Sequence, residues 1–287
     1  LFGTGGEQVF EGDETTALDA AHEILGHAPA EEEAKTIPAD ANGGVSLREL
    51  MLAYAEHVGL HIAVKVDPHL IANAAVGERT VFIADRKFGA HEAQRLATHE
   101  VYGHLVSGFN GRTQTLGILA IGTAGSYGDQ EGVAILLEEL AGFLSQNRRR
   151  TLAGRLLATY AMHAGVSFGD AARTLVAEHA FSPSESVTLC ERAFRAGGVA
   201  RDAVYLTSWL RVRHAVIQGS ANLAELQLGK VSLAALPELR RLAAAGRVGA
   251  PAYLSNLARS RGWTELGTRS ATSPPSLATS LTRVDAT

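Results

Sequence analysis

The chain has 287 residues, 46% of them hydrophobic and 20% charged, enough to bury a substantial core. A formal charge of −4 argues against a nucleic-acid partner, since the RRR run at 148–150 is too short to form a basic face. The single cysteine, Cys190, excludes an intramolecular disulfide and a cysteine zinc knuckle; it reads as a small buried apolar residue and points to a reducing, cytoplasmic compartment.

No run approaches the roughly 20 apolar residues of a membrane span, so no membrane partner is expected. No signal-peptide pattern is visible either, although the sequence begins at Leu1 rather than Met, which weakens that observation. In chain order, Asp13 and Glu14 open a predicted helix over 15–25 that Gly26 and Pro29 close. A Glu-, Ala-, Pro- and Gly-rich loop follows over 30–44, and Ser46 with Glu49 forms a capping-box pattern ahead of a second helix. HIAVKVD (61–67) and RTVFIAD (79–85) alternate like half-buried strands.

From Ala90 onward helices are expected at about 90–108, 130–146, 149–164, 169–179, 184–196, 200–218 and 233–246. Breaks fall at Asn110-Gly111, Gly165, Ser182-Pro183 and Gly197-Gly198. The order predicts a mainly helical α+β fold with one small sheet beside the helix that opens at Ala90. One domain is expected over 1–265, with helices and sheet in 1–88 and the metal site and helical part in 89–265. The Ser-, Thr- and Pro-rich residues 266–287 are expected to be disordered.

Two segments carry the string His-Glu, three residues, His: AHEILGH at 21–27 and THEVYGH at 98–104. The common zinc-protease motif spaces its histidines by four, about 40° apart around an α-helix; a spacing of five separates them by about 140°. A regular helix cannot aim both at one ion, so the extra residue must be absorbed by a local widening such as a π-bulge, which Gly103 would ease. After His27 the chain runs into Pro29, and Glu31, Glu32 and Glu33 sit in a loop without evident support. The first copy, His22, Glu23 and His27, therefore reads as a decoy at a helix end.

His99 and His104 instead lie inside a long predicted helix. The strand RTVFIAD just before it occupies the place of the edge strand in thermolysin-type zinc peptidases, which pairs with extended substrate. Glu131, 27 residues beyond His104, is expected in the first turn of a new helix after the turn Tyr127-Gly128-Asp129, with Gly132 allowing close approach. Two histidines and a glutamate leave a fourth zinc position open, the pattern of a catalytic site. Glu100, next to a ligand, is placed to act as general base toward a zinc-activated water. Glu138, seven residues after Glu131, shares its helix face and could orient a ligand histidine, with a solvated or structural role as the alternative.

The blocks THEVYGHLVSGFNGRTQTL, DQEGVAILLE, FRAGGVARDAVYL and GKVSLAALPEL resemble, in this order, the bacterial flavohemoglobin expression-modulating QEGLA motif proteins. These are similar in turn to the microtubule-associated tyrosine carboxypeptidase family (MATCAP), which removes a C-terminal tyrosine from tubulin. The resemblance runs from about Phe2 to Leu257 and departs from the QEGLA motif only at Val133. It implies a zincin-like metallopeptidase fold, Zn²⁺ as cofactor, His99, His104 and Glu131 as ligands, Glu100 as base, and a peptide or protein C-terminus as substrate. Within FRAGGVARDAVYL, Arg195 or Arg201 could grip the substrate carboxylate and Tyr205 could donate to the developing oxyanion. Helix capping, a bridge to Asp202 and a packed ring are the alternatives. Asn110, Arg112 and Gln114 read as supports of the site or as a structural turn. His57, His61, His69 and the scattered His91, His163, His179 and His214 read as structural. An aminopeptidase like dipeptidyl-peptidase III and a regulatory protein with a vestigial metal site are the competing functions.

Overall fold

A computed structural model describes residues 14–41, 44–195 and 202–259. They group into two compact units, one of residues 14–31 and 145–211, the other of 32–144 and 212–259. The proposed tail at 266–287 lies outside the described residues.

The first unit is helical. It contains α1 (Glu14–Gly26) and three partner helices that follow from residue 145. Arg150, almost fully buried, donates to the carbonyls of Leu25, His27 and His179. One guanidinium thereby satisfies helix-end acceptors that would otherwise be orphaned.

The second unit holds α2 (Leu47–His57) and a three-stranded sheet of β1 (Ala63–Asp67), β2 (Ala74–Val76) and β3 (Thr80–Ala84). The Ser46 hydroxyl caps α2 by accepting from the Glu49 amide at 3.2 Å, as the sequence pattern requires. The sheet order is β1-β3-β2, with β1 parallel and β2 antiparallel to β3. RTVFIAD is therefore the central strand and not the expected edge. Val81 and Ile83 are fully buried on it, and the edge beside the following helix is β2, three residues too short to announce itself in sequence.

Next comes one continuous helical rod: α3 (Ala90–Ala97), a π-helical segment (Thr98–Leu105) and α4 (Val106–Thr113). The short α5 (Ile118–Ile121) leads to α6 (Ser126–Leu140). Gly125, at φ 75°, takes the left-handed conformation that lets α6 begin at Ser126. The expected turn Tyr127-Gly128-Asp129 is thus helical, and Glu131 lies in the second turn of α6 rather than its first. Residues 133–137 of α6 are all fully buried, facing the π-helical segment among other partners.

The chain then builds α7 (Gln146–His163), α8 (Phe168–His179) and α9 (Pro183–Arg195) of the first unit, where Cys190 is buried and free as expected. Helix α10 (Val204–Ile217) leads back into the second unit, which ends with α11 (Leu223–Leu226), a 3₁₀ turn (Leu233–Ala235), α12 (Leu236–Ala244) and α13 (Asn256–Arg259). Among the described residues no helix is long and apolar enough to cross a membrane.

Candidate metal centre

The π-helical segment coincides with THEVYGHL. The Val106 amide bonds to the carbonyl of Val101, five residues back, so five residues span little more than one turn and both histidines face the same side. Gly103 also has a packing role. A Cβ there would stand 2.6 Å from the Ala134 Cβ, so its lack of a side chain lets α6 lie against the rod.

That contact carries Glu131 toward the histidines. His99 Nε2 lies 3.2 Å from His104 Nε2, and Glu131 Oε2 lies 3.3 Å from the first and 3.6 Å from the second. Donors bound at about 2.0–2.1 Å in a tetrahedron stand about 3.3–3.4 Å apart, so these three atoms already have the spacing of three corners around a small cation. Glu131 Oε2 is sealed from solvent yet has no hydrogen-bond partner, an orphan that coordination would satisfy. Among the described residues this is the one group of three or more metal-type side chains so arranged.

The surroundings prepare the ligands. His99 Nδ1 donates to Glu138 Oε1 at 2.7 Å, which leaves Nε2 as the ring nitrogen directed at the cluster, where a cation would take the place of its proton. Glu138 is completely buried and also pairs with Arg95 at 3.4 Å. Burial disfavours a protonated His99, but contacts with Glu131 and Glu138 outweigh it and raise its pKa to about 9. Burial likewise opposes ionisation of Glu131, yet attraction to His104 and His99 holds it well below the usual carboxylate range. The pocket favours positive charge between carboxylates, which is what a cation would supply. Glu100 is 92% buried and, among the described residues, its carboxylate makes no hydrogen bond or ion pair, so it is not committed to a structural role.

The blocks around the centre form its frame. Gln130 donates to the carbonyls of Leu226 and Val231, both at 3.0 Å, and Asp129 accepts from the Leu233 amide at 2.8 Å. Asn110 donates to the carbonyls of Gln227 and Tyr253, Arg112 to Glu78 and Gln114 to Gly249, which makes these three structural ties. His57 and His91 also have structural partners, Asn256 and Gly142.

The first copy behaves as a helix end. Gly26 closes α1 without a left-handed φ, and the His22 ring meets His179 at 6.0 Å rather than a carboxylate pair. In the first unit the Arg155 guanidinium stands 5.2 Å from the Tyr205 ring centre. Asp202 is bridged by Arg192 at 2.9–3.0 Å. Nothing in the sequence singles out Arg192, although it lies only ten residues from Asp202. Arg195 pairs at 3.6 Å with Glu191 on its own helix, and Arg201 lies outside the described residues.

Together the fold and the cluster define a mainly helical α+β protein with a His-His-Glu centre able to hold a metal ion. The sequence model of the microtubule-associated tyrosine carboxypeptidase family, MATCAP, matches residues 1–270, and the chain belongs to that family, which is one of peptidases. No curated protein matches the chain.

Proposed function

We propose that the protein is a zinc-dependent peptidase with a zincin-like site that removes a residue from the C-terminus of a peptide or protein, in the manner of a tyrosine carboxypeptidase. The strongest support is the mutual spacing of His99 Nε2, His104 Nε2 and Glu131 Oε2 beside an uncommitted Glu100. Three such ligands leave a fourth position open, as catalytic rather than structural zinc requires. Bound zinc would polarise the scissile carbonyl and acidify the attacking water. Glu100 takes the proton from that water as its oxygen adds to the carbonyl carbon. It returns the proton to the leaving nitrogen as the C–N bond breaks. Glu138 keeps His99 in the tautomer that presents Nε2.

An extended substrate joins β2, the antiparallel edge strand packed beside the π-helical segment. The lone buried Cys190 supports a reducing, cytoplasmic setting.

The test pairs metal analysis with peptides whose C-termini are free or amidated. Release of the terminal residue from free but not amidated peptides, abolished by chelator and restored by Zn²⁺, is the expected result. Cleavage from the N-terminus would overturn the carboxypeptidase assignment, and bound metal with no cleavage across a broad peptide library would favour a regulatory role.

A further inference from the structure

Widening a helix by one residue leaves a backbone acceptor without its donor. Here the Val106 amide has moved to Val101, so the Tyr102 carbonyl loses the partner that an α-helix would give it. The side-chain amide of Gln227 donates to that carbonyl from 125 residues away. Gln227 is completely buried and immobilised: its own amide bonds to Leu223 at 2.9 Å and its carbonyl accepts from Asn110 at 2.7 Å. The preceding α11 is fixed by a reciprocal capping box between Asn222 and Glu225. Gln227 Oε1, meanwhile, is sealed without a hydrogen-bond partner. A buried orphan of that kind is destabilising, so a contribution to stability does not explain the residue's placement.

We propose that Gln227 is a positioning residue: by capping the Tyr102 carbonyl it holds residues 98–105 in the π register, and so fixes the five-residue spacing at which His99 and His104 meet one cation. In α register the two imidazoles would diverge by about 140°. The inference rests on the metal-centre reading above and extends it to a residue that touches neither ligand nor ion.

The test uses Co²⁺ as the metal probe, followed by its visible d–d bands and by chelator competition, on the full chain. The wild-type protein is expected to bind one Co²⁺ with the intense bands of four-coordination. Gln227→Met removes the donor at similar volume and should weaken Co²⁺ binding by about 10-fold or more and alter the band intensities. Gln227→Asn, whose amide is one methylene too short, should do the same and serves if the Met variant folds poorly. Leu239→Ala, a core change in α12, controls for lost stability and should lower Tm without moving affinity or spectrum. Unchanged affinity and bands in both Gln227 variants, with wild-type binding intact, would overturn this inference alone. Failure of the wild-type protein to bind Co²⁺ would overturn the metal reading and this inference with it.

Discussion

Two stretches of the chain spell His-Glu, two residues, Gly and His, and they differ in what lies around them. AHEILGH is the last six residues of α1 and the residue after it; its end carbonyls are taken up by Arg150, and the His22 ring meets that of His179. THEVYGH is the middle of a rod of three helical segments, widened to π geometry, with Glu131 and Glu138 delivered by α6. Even the acidic loop after the first copy serves the second: Glu33 accepts from the His91 amide at 2.9 and 3.0 Å and caps α3, whose own N-cap, Gly89, has no side chain. A ligand motif therefore consists of its string plus a helix that continues, a neighbour that reaches in, and donors for the backbone it distorts.

The largest expected effect breaks this comparison directly. His104→Ala should abolish stoichiometric metal binding and with it peptidase turnover, whereas His27→Ala should leave both unchanged, as read by metal analysis after dialysis. Retained metal in His104→Ala, or lost metal in His27→Ala, would reverse the assignment of the two copies. One step smaller, Glu100→Gln should keep the metal and lower turnover by about 10²–10⁴-fold, while Glu23→Gln has no effect on either.

Much of this contrast is legible in the sequence because it is local. The five-residue spacing in an otherwise helical run demands a widened helix, and the i,i+7 relation of Glu131 and Glu138 places both on the face of α6 that meets the rod. What escapes is non-local. The central position of β3 depends on β2, whose three residues carry no periodicity, and the support of Tyr102 depends on Gln227, which no local pattern links to it. The early start of α6 is hidden because Gly128 resembles a turn residue, while the left-handed residue that matters is Gly125.

The equivalent glycines sharpen the comparison at the level of stability. Gly103→Ala would drive a methyl to 2.6 Å from the Ala134 Cβ in a packed interior, and should destabilise the fold by about 1–3 kcal/mol. A methyl at Gly26 would meet no atom within 4 Å, and the backbone φ there is ordinary, so Gly26→Ala should be neutral or stabilising by up to about 1 kcal/mol. Urea unfolding of the two variants tests this; equal effects would mean that Gly103 is not a contact between helices.

The smallest effect concerns the pH dependence of the frame that supports only the second copy. Glu225, in the capping box of α11, is held below its ordinary value near 4.5 chiefly by its hydrogen bonds to Arg240 at 2.8 Å, against the opposing pull of burial. Because its folded pKa is lowered, the stability it contributes is present above about 4.5 and lost as pH falls through the lower, folded value. Arg240 is nearly half exposed, so the pair is worth no more than about 0.2–1 kcal/mol. Glu225→Gln should therefore lower stability slightly at neutral pH and converge with the wild-type protein as pH falls through the lowered folded pKa of Glu225. A constant difference between the two unfolding curves from pH 7 down to pH 3 would show that the cap acts through geometry and not through the carboxylate's charge.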